Sequence, residues 1–155
     1  MIDRFLTFSA EVTAFTIFEL HATGQAESYH RTVVDVVGQE LLDELLDAYD
    51  SVMGGTPNER TGQLRKEIFG NEKLGPIARN IIKLWYVGIW YQLPRAWTDA
   101  FGARPMDVTF VVSATAYTEG LLWVAIGANP PGAKAPGYGS WADAPQIPPV
   151  PAWTD

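Results

Sequence analysis

The sequence predicts an all-α fold: a small helical bundle followed by a proline-rich extended C-terminal arm. Three observations predict it. Apolar residues recur at steps of three and four in several consecutive segments, the period of a helix with one buried face. Glycine and proline fall between those segments, where they punctuate helices. Seven of the eleven prolines crowd into residues 130–151, a density that neither a helix nor a central strand tolerates. The expected organisation is a helical region over 1–126 and an arm over 127–155, one domain overall.

In order along the chain, residues 3–21 read as one helix. Phe5, Phe8, Val12, Phe15 and Phe18 or Glu19 step round one side, Leu6, Ile17 and Leu20 widen the apolar surface, and Gly24 is the expected stop. Residues 28–51 read as a second, longer helix. Val34, Val37, Leu41, Leu45 and Ala48 form its inner stripe, and Glu40, Asp43, Glu44, Asp47 and Asp50 its wet face. Gly54-Gly55-Thr56-Pro57-Asn58 is a loop, and residues 61–70 a short helix closed by Gly70.

The stretch that organises the rest begins after Gly75-Pro76. Ile77, Ile81, Trp85 and Gly88 share a face with Leu74, Ala78 and Ile82, while Arg79 and Lys83 point away. This is the pattern of a buried central helix running to Trp90. Gly88 inside it costs about 1 kcal/mol relative to alanine, which is repaid if another segment must approach the backbone closely. Pro94 then breaks the helix. Trp97, Phe101, Gly102 and Pro105 suggest a packed loop, Thr109–Ser113 a short β-branched strand, and Ala114–Ile126 a last helix with Gly120 inside it. The arm still carries Tyr138, Trp141 and Trp153. Two placements fit its composition: an arm lying along a partner, and a tail wrapped over its own domain.

Composition excludes several classes. A chain of 155 residues, 47% hydrophobic, can bury a real core. A net charge of −7 argues against nucleic-acid binding, which needs clustered Lys and Arg. With no cysteine there are no disulfides, thiolate metal sites, iron–sulfur ligands or covalent haem attachment. Phe5–Leu20 is short for a membrane span and contains Glu11 and Glu19. Met1-Ile2-Asp3-Arg4 lacks the positive start of a secretory signal.

Residues that could carry chemistry are few. His21 and His30 stand nine apart across Gly24, and no metalloprotease or nucleophile-elbow pattern is present. Gly137-Tyr138-Gly139 lacks the third glycine of a dinucleotide loop. The acids of residues 40–50 fan outward from one helix and do not converge as a hard cation requires. Glu119 is the one acid in an otherwise apolar segment; it reads either as a general acid or as an acid bonded to backbone or to an Arg. The sequence therefore names no catalytic, cofactor-binding or metal-ligating set.

Five segments carry a resemblance. They are Phe5-Leu6-Thr7-Phe8-Ser9, Val37-Gly38-Gln39-Glu40-Leu41-Leu42, Trp85-Tyr86-Val87-Gly88-Ile89, Tyr117-Thr118-Glu119-Gly120-Leu121-Leu122 and the run Pro136-Gly137-Tyr138-Gly139-Ser140-Trp141-Ala142-Asp143-Ala144-Pro145. In this order the chain resembles the small (gamma) subunit of bacterial membrane-bound, FAD-dependent sugar and polyol dehydrogenases, including those of glucose, fructose, sorbitol and gluconate. The resemblance implies a non-catalytic subunit without a cofactor of its own. The large partner subunit carries FAD and often an iron–sulfur cluster, and a multihaem cytochrome c subunit passes electrons to the membrane. The small subunit serves maturation, stabilisation and twin-arginine export of the folded large one, in the periplasm and held at the inner membrane through the complex.

On this reading the partner interface comprises Trp85, Tyr86, Trp90, Tyr117, Tyr138, Trp141 and Asp143. The sequence departs from the family at three points. No Arg-Arg pair stands in its opening residues, so a leader already removed or another export route is expected. Gly127-Ala128-Asn129-Pro130-Pro131 stands where some members have a cysteine, which excludes an inter-subunit disulfide. Residues 124–135 are arranged differently, which bears on the arm's path. A second reading is a stand-alone carbohydrate-binding or protein-interaction module using exposed Trp and Tyr. A third is a small enzyme, for which no catalytic set can be named.

Overall fold

The computed structural model describes residues 2–52, 55–133, 144 and 147. Among these the fold is helical, with one minimal strand pair. Tyr138, Trp141 and Asp143, with the run around them, lie outside the described residues.

Helix α1 (Ile2–Thr13) buries Phe5, Leu6, Phe8, Ser9 and Thr13. It stops short of the expected 21 because Ala14 turns left-handed, with φ 62°, and a new helix is nucleated at once. Thr16 and Glu19 form a reciprocal capping box for α2 (Ile17–Ala22). Thr16 N–H donates to Glu19 Oε2 at 2.7 Å, and Glu19 N–H donates to Thr16 Oγ1 at 3.2 Å. The second expected helix is also two. Gly38, at φ 91° and ψ 152°, separates α3 (Ala26–Val37) from α4 (Gln39–Asp50), a conformation costly for any residue with a Cβ.

Another capping box, Thr56 with Glu59, and Pro57 at the first helical position start α5 (Pro57–Leu64) four residues earlier than expected. A π turn over Arg65–Phe69 follows directly. Gly70 N–H closes it by donating to Arg65 O, five residues back, at 2.7 Å.

Helix α6 (Leu74–Val87) is the central element, and eight of its residues are buried. Trp85 is its hub. Phe5 of α1 stacks on it at 6.2 Å, and Tyr29 of α3 meets it edge-on at 5.0 Å. Three helices therefore converge on one indole, each aromatic contact adding about 0.5–1.5 kcal/mol beyond burial. Gly88 does not continue the helix; at φ 69° it is the left-handed cap that ends it. The close approach expected there is present. A Cβ on Gly88 would lie 2.8 Å from the Ala116 carbonyl carbon.

The freed chain forms β1 (Ile89–Trp90), antiparallel to β2 (Phe110–Val111), with Ile89 opposite Val111 and Trp90 opposite Phe110. Between them lies α7 (Arg95–Phe101), a helix where a loop was expected. Trp97 anchors it by donating Nε1–H to Lys73 O at 2.8 Å. The expected helix over 114–126 shortens to α8 (Leu121–Ala125), preceded by turns. Gly120 is seated against the end of α6, where a Cβ would come within 2.6 Å of Tyr86 O.

Polar ties close the remaining seams. Buried Asp107 accepts from Trp90 Nε1 at 2.9 Å and from Leu93 N at 3.1 Å. Gln25 bonds Thr115 Oγ1 at 3.0 Å and Ser113 Oγ at 2.9 Å. Arg60 of α5 clasps Glu11 of α1 through two bonds of 2.6 and 2.8 Å, and Tyr49 of α4 donates to the same carboxylate at 2.6 Å.

Candidate interaction surface

The residues expected to meet a partner separate into three groups. Trp85 and Trp90 are wholly buried in this chain's own core, and this corrects the expectation that they are surface anchors. The physical reason is packing. The Trp85 ring is already enclosed by Phe5 and Tyr29, and the Trp90 indole is bonded to Asp107 and paired across the sheet with Phe110. Tyr86 is half-buried. Its hydroxyl donates to Thr13 O at 3.0 Å and its ring meets Phe15 edge-on at 6.0 Å; burial raises its pKa. Tyr117 is the one of the four described residues that is substantially exposed, at 45%. It packs edge-on against Trp123 at 5.3 Å, and Trp123 Nε1 donates to Tyr117 O at 2.7 Å.

Trp123, against which Tyr117 packs, lines one side of a cleft of about 310 Å³ between α2 and α8. Phe15, Glu19, Ala22 and Thr23 supply one wall. The other is built from Glu119, Gly120, Leu121, Trp123 and Val124, with Ala128, Asn129 and Pro130 beyond. Its surroundings are apolar and open to solvent. Phe18, next to Glu19 in α2, is 82% exposed, and Ile17 is 42% exposed. Val124 of α8 and Ile126 at its end are 54% and 42% exposed. A folded chain tolerates single exposed apolar residues; these four stand out because they lie on the two elements that wall the cleft.

Both walls are held firmly. The capping box fixes the start of α2, and the start of α8 is seated so close to Tyr86 O that Gly120 leaves no room for a Cβ. The backbone N–H and hydroxyl of Thr16, both on Glu19 Oε2, hold the Glu19 carboxyl below the usual carboxylate range. Glu19 is therefore anionic at neutral pH. Glu119 is half-buried on the opposite wall, with Thr118 Oγ1 3.4 Å from its Oε1. Tyr29, a ring away in the core, has its hydroxyl pKa raised strongly by burial and further by the Glu119 charge.

Three acids of α4 are held in ion pairs across to other segments. Arg4 pairs with Asp47 at 2.7 Å and with Asp50 at 2.5 Å, and Lys73 pairs with Glu44 at 2.5 Å. His21 is exposed. His30 lies edge-on to Phe5 at 5.4 Å, and burial lowers its pKa. Among the described residues no group of three or more His, Asp and Glu is placed to hold a metal ion, and no helix is long and apolar enough to cross a membrane.

Sequence reasoning missed Phe18, Trp123, Val124 and Ile126 as surface residues. A signal for the first was present. Thr16-x-x-Glu19 is a capping-box pattern, and restarting the helix there turns Phe18 outward from the stripe it shared with Phe15. No family model, curated protein or solved structure matches this chain.

Proposed function

We propose that this chain is the non-catalytic small subunit of a periplasmic FAD-dependent sugar or polyol dehydrogenase complex. Its role is maturation, export and stabilisation of the large flavoprotein subunit, which holds the FAD and, with a multihaem cytochrome c subunit, moves the electrons. The observation that supports this reading is the exposure of large apolar side chains, Ile17 and Phe18 on α2 and Val124 and Ile126 at α8, on the two elements that wall one cleft, in a chain with a net charge of −7. Such side chains are costly to leave in water and are stabilised by a large partner. The family resemblance of the Trp85–Ile89, Tyr117–Leu122 and Pro136–Pro145 runs supplies the partner's identity.

The test is co-purification through a tag on this chain. A yellow flavoprotein of several times its mass is expected. Trp141→Ala is expected to lower the yield of active, exported complex more than the turnover of the complex that survives. Unchanged yield with reduced turnover counts against the escort role. The exposed Tyr117 ring beside Trp123 favours a second reading, stacking on a sugar. Saturable quenching of tryptophan fluorescence by sugars in the isolated chain would support that alternative.

A further inference from the structure

We infer that the cleft between α2 and α8 receives a segment of the large partner subunit in which an apolar side chain stands beside a Lys or Arg. This rests on the reading of the chain as an accessory subunit and adds where the partner docks and with what chemistry.

Three observations carry the inference. The first is the cleft's size and lining. At about 310 Å³ it stands at the low end of small-molecule pockets, room for one or two side chains. Phe15, Leu121, Val124 and Pro130 make it greasy. The second is charge. Glu19 and Glu119 line the cleft, and no Lys, Arg or His does among the described residues. Glu19 directs Oε2 at Thr16 and stays ionised at neutral pH, so the mouth favours a cation over an anion. The rest of the chain adds to this bias with a net charge of −7. The third is preorganisation. The capping box and the close seating of Gly120 against Tyr86 O hold the two walls in place before anything binds, which lowers the ordering cost of association. A sugar suits this lining poorly, because its hydroxyls would face mostly apolar atoms.

Glu19→Gln is the discriminating variant. Glutamine at the third helical position preserves the capping box, so α2 stays folded while the charge is removed. The tagged chain is purified with its flavoprotein, dissociated and re-associated. At low salt the variant is expected to bind the flavoprotein about fivefold more weakly, the worth of one partly exposed ion pair, with the difference vanishing in 0.5 M NaCl. A photo-cross-linking residue at Ala22 in the purified complex should capture a flavoprotein peptide with a Lys or Arg within three positions of an apolar residue. The same probe at Glu67, on the π turn, should not.

Equal affinity for Glu19→Gln and the parent chain at low salt would overturn the inference. So would Ala22 cross-links that fall only on residues 134–155 of this chain or on a second copy of it. A tagged chain that brings down no flavoprotein at all refutes the subunit reading itself, a separate and earlier result.

Discussion

Replacing Gly88 by alanine should destabilise the protein far more than the same change at Gly24, although the two φ angles are nearly equal. Gly24 has φ 66° and Gly88 φ 69°, so both alanines carry the left-handed penalty, about 1 kcal/mol. They differ in what the new methyl meets. At Gly24 nothing lies within 4 Å. At Gly88 the methyl overlaps the Ala116 methyl and comes within 2.8 and 2.9 Å of that residue's carbonyl carbon and oxygen. Overpacking of this kind adds about 1–3 kcal/mol, giving about 2–4 kcal/mol in total against the 5–15 kcal/mol of a typical domain. Urea unfolding at constant m separates the two variants by their midpoints. Ala116→Gly in the Gly88→Ala background should recover part of the loss, because it removes the methyl but leaves the backbone contact. If Gly88→Ala costs no more than Gly24→Ala, the chain ends of α6 and the 113–121 segment are not packed as described.

Asp107→Ala leaves the Trp90 indole and Leu93 amide donors buried without their acceptor, so about 3 kcal/mol of stability should be lost in urea titration, with Asp107→Asn costing markedly less. Burial raises the Glu11 carboxyl, but hydrogen bonds from Arg60 and Tyr49 and the Arg60 charge outweigh it and hold it below its ordinary 4.5. A depressed pKa contributes stability above that value and loses it as pH falls through the folded one. The stability gap between the parent and Glu11→Gln should therefore narrow below about pH 4.5, read by thermal melts across pH. Burial and Glu11 push the Tyr49 hydroxyl up to about 12, and burial raises Tyr29 and Tyr86 as well, so three tyrosines should titrate after the exposed ones in alkaline absorbance; the stabilisation from Tyr49 should fade only as pH rises above its ordinary 10. Phe18→Ser should change stability by less than about 0.5 kcal/mol, since the ring is mostly in water, yet reduce recovery of the partner.

The helical class was legible because its signal is periodic and repeated, and the inner faces of α4 and α6 follow it closely. Leu41, Leu45, Ile77 and Ile81 are all buried as spaced. The breaks were less legible. Gly38 interrupts a stripe whose period continues through it, so Val34, Val37 and Leu41 read as one face although two helices supply them. Thr16-x-x-Glu19 and Thr56-x-x-Glu59 were readable caps, outweighed by the apolar pattern on either side.

Gly88 was located for the right reason, close approach, but in the wrong conformation. A left-handed cap and a helix-interior glycine look alike until the segment that presses on it is known. The surface was least legible. The spacing puts Trp85 on the buried stripe, as found, and it is the family resemblance that assigns Trp85 and Trp90 to an interface; aromatic type says nothing of direction, and the distant partners that enclose them, Phe5, Tyr29 and Asp107, are 80, 56 and 17 positions away.

The π turn between α5 and α6 has a consequence for chain length. Its closing bond reaches five residues back instead of four, so it stores one surplus residue. The wider turn under-winds the chain by about the 100° that one further residue would otherwise add, so the surplus is absorbed where it stands. Arg60 therefore keeps its facing toward Glu11, and the first and fifth helices keep their latch. The extra residue works as slack: a one-residue deletion within the turn should be absorbed as a return to ordinary winding, whereas one between Arg60 and the turn should rotate Arg60 off its partner.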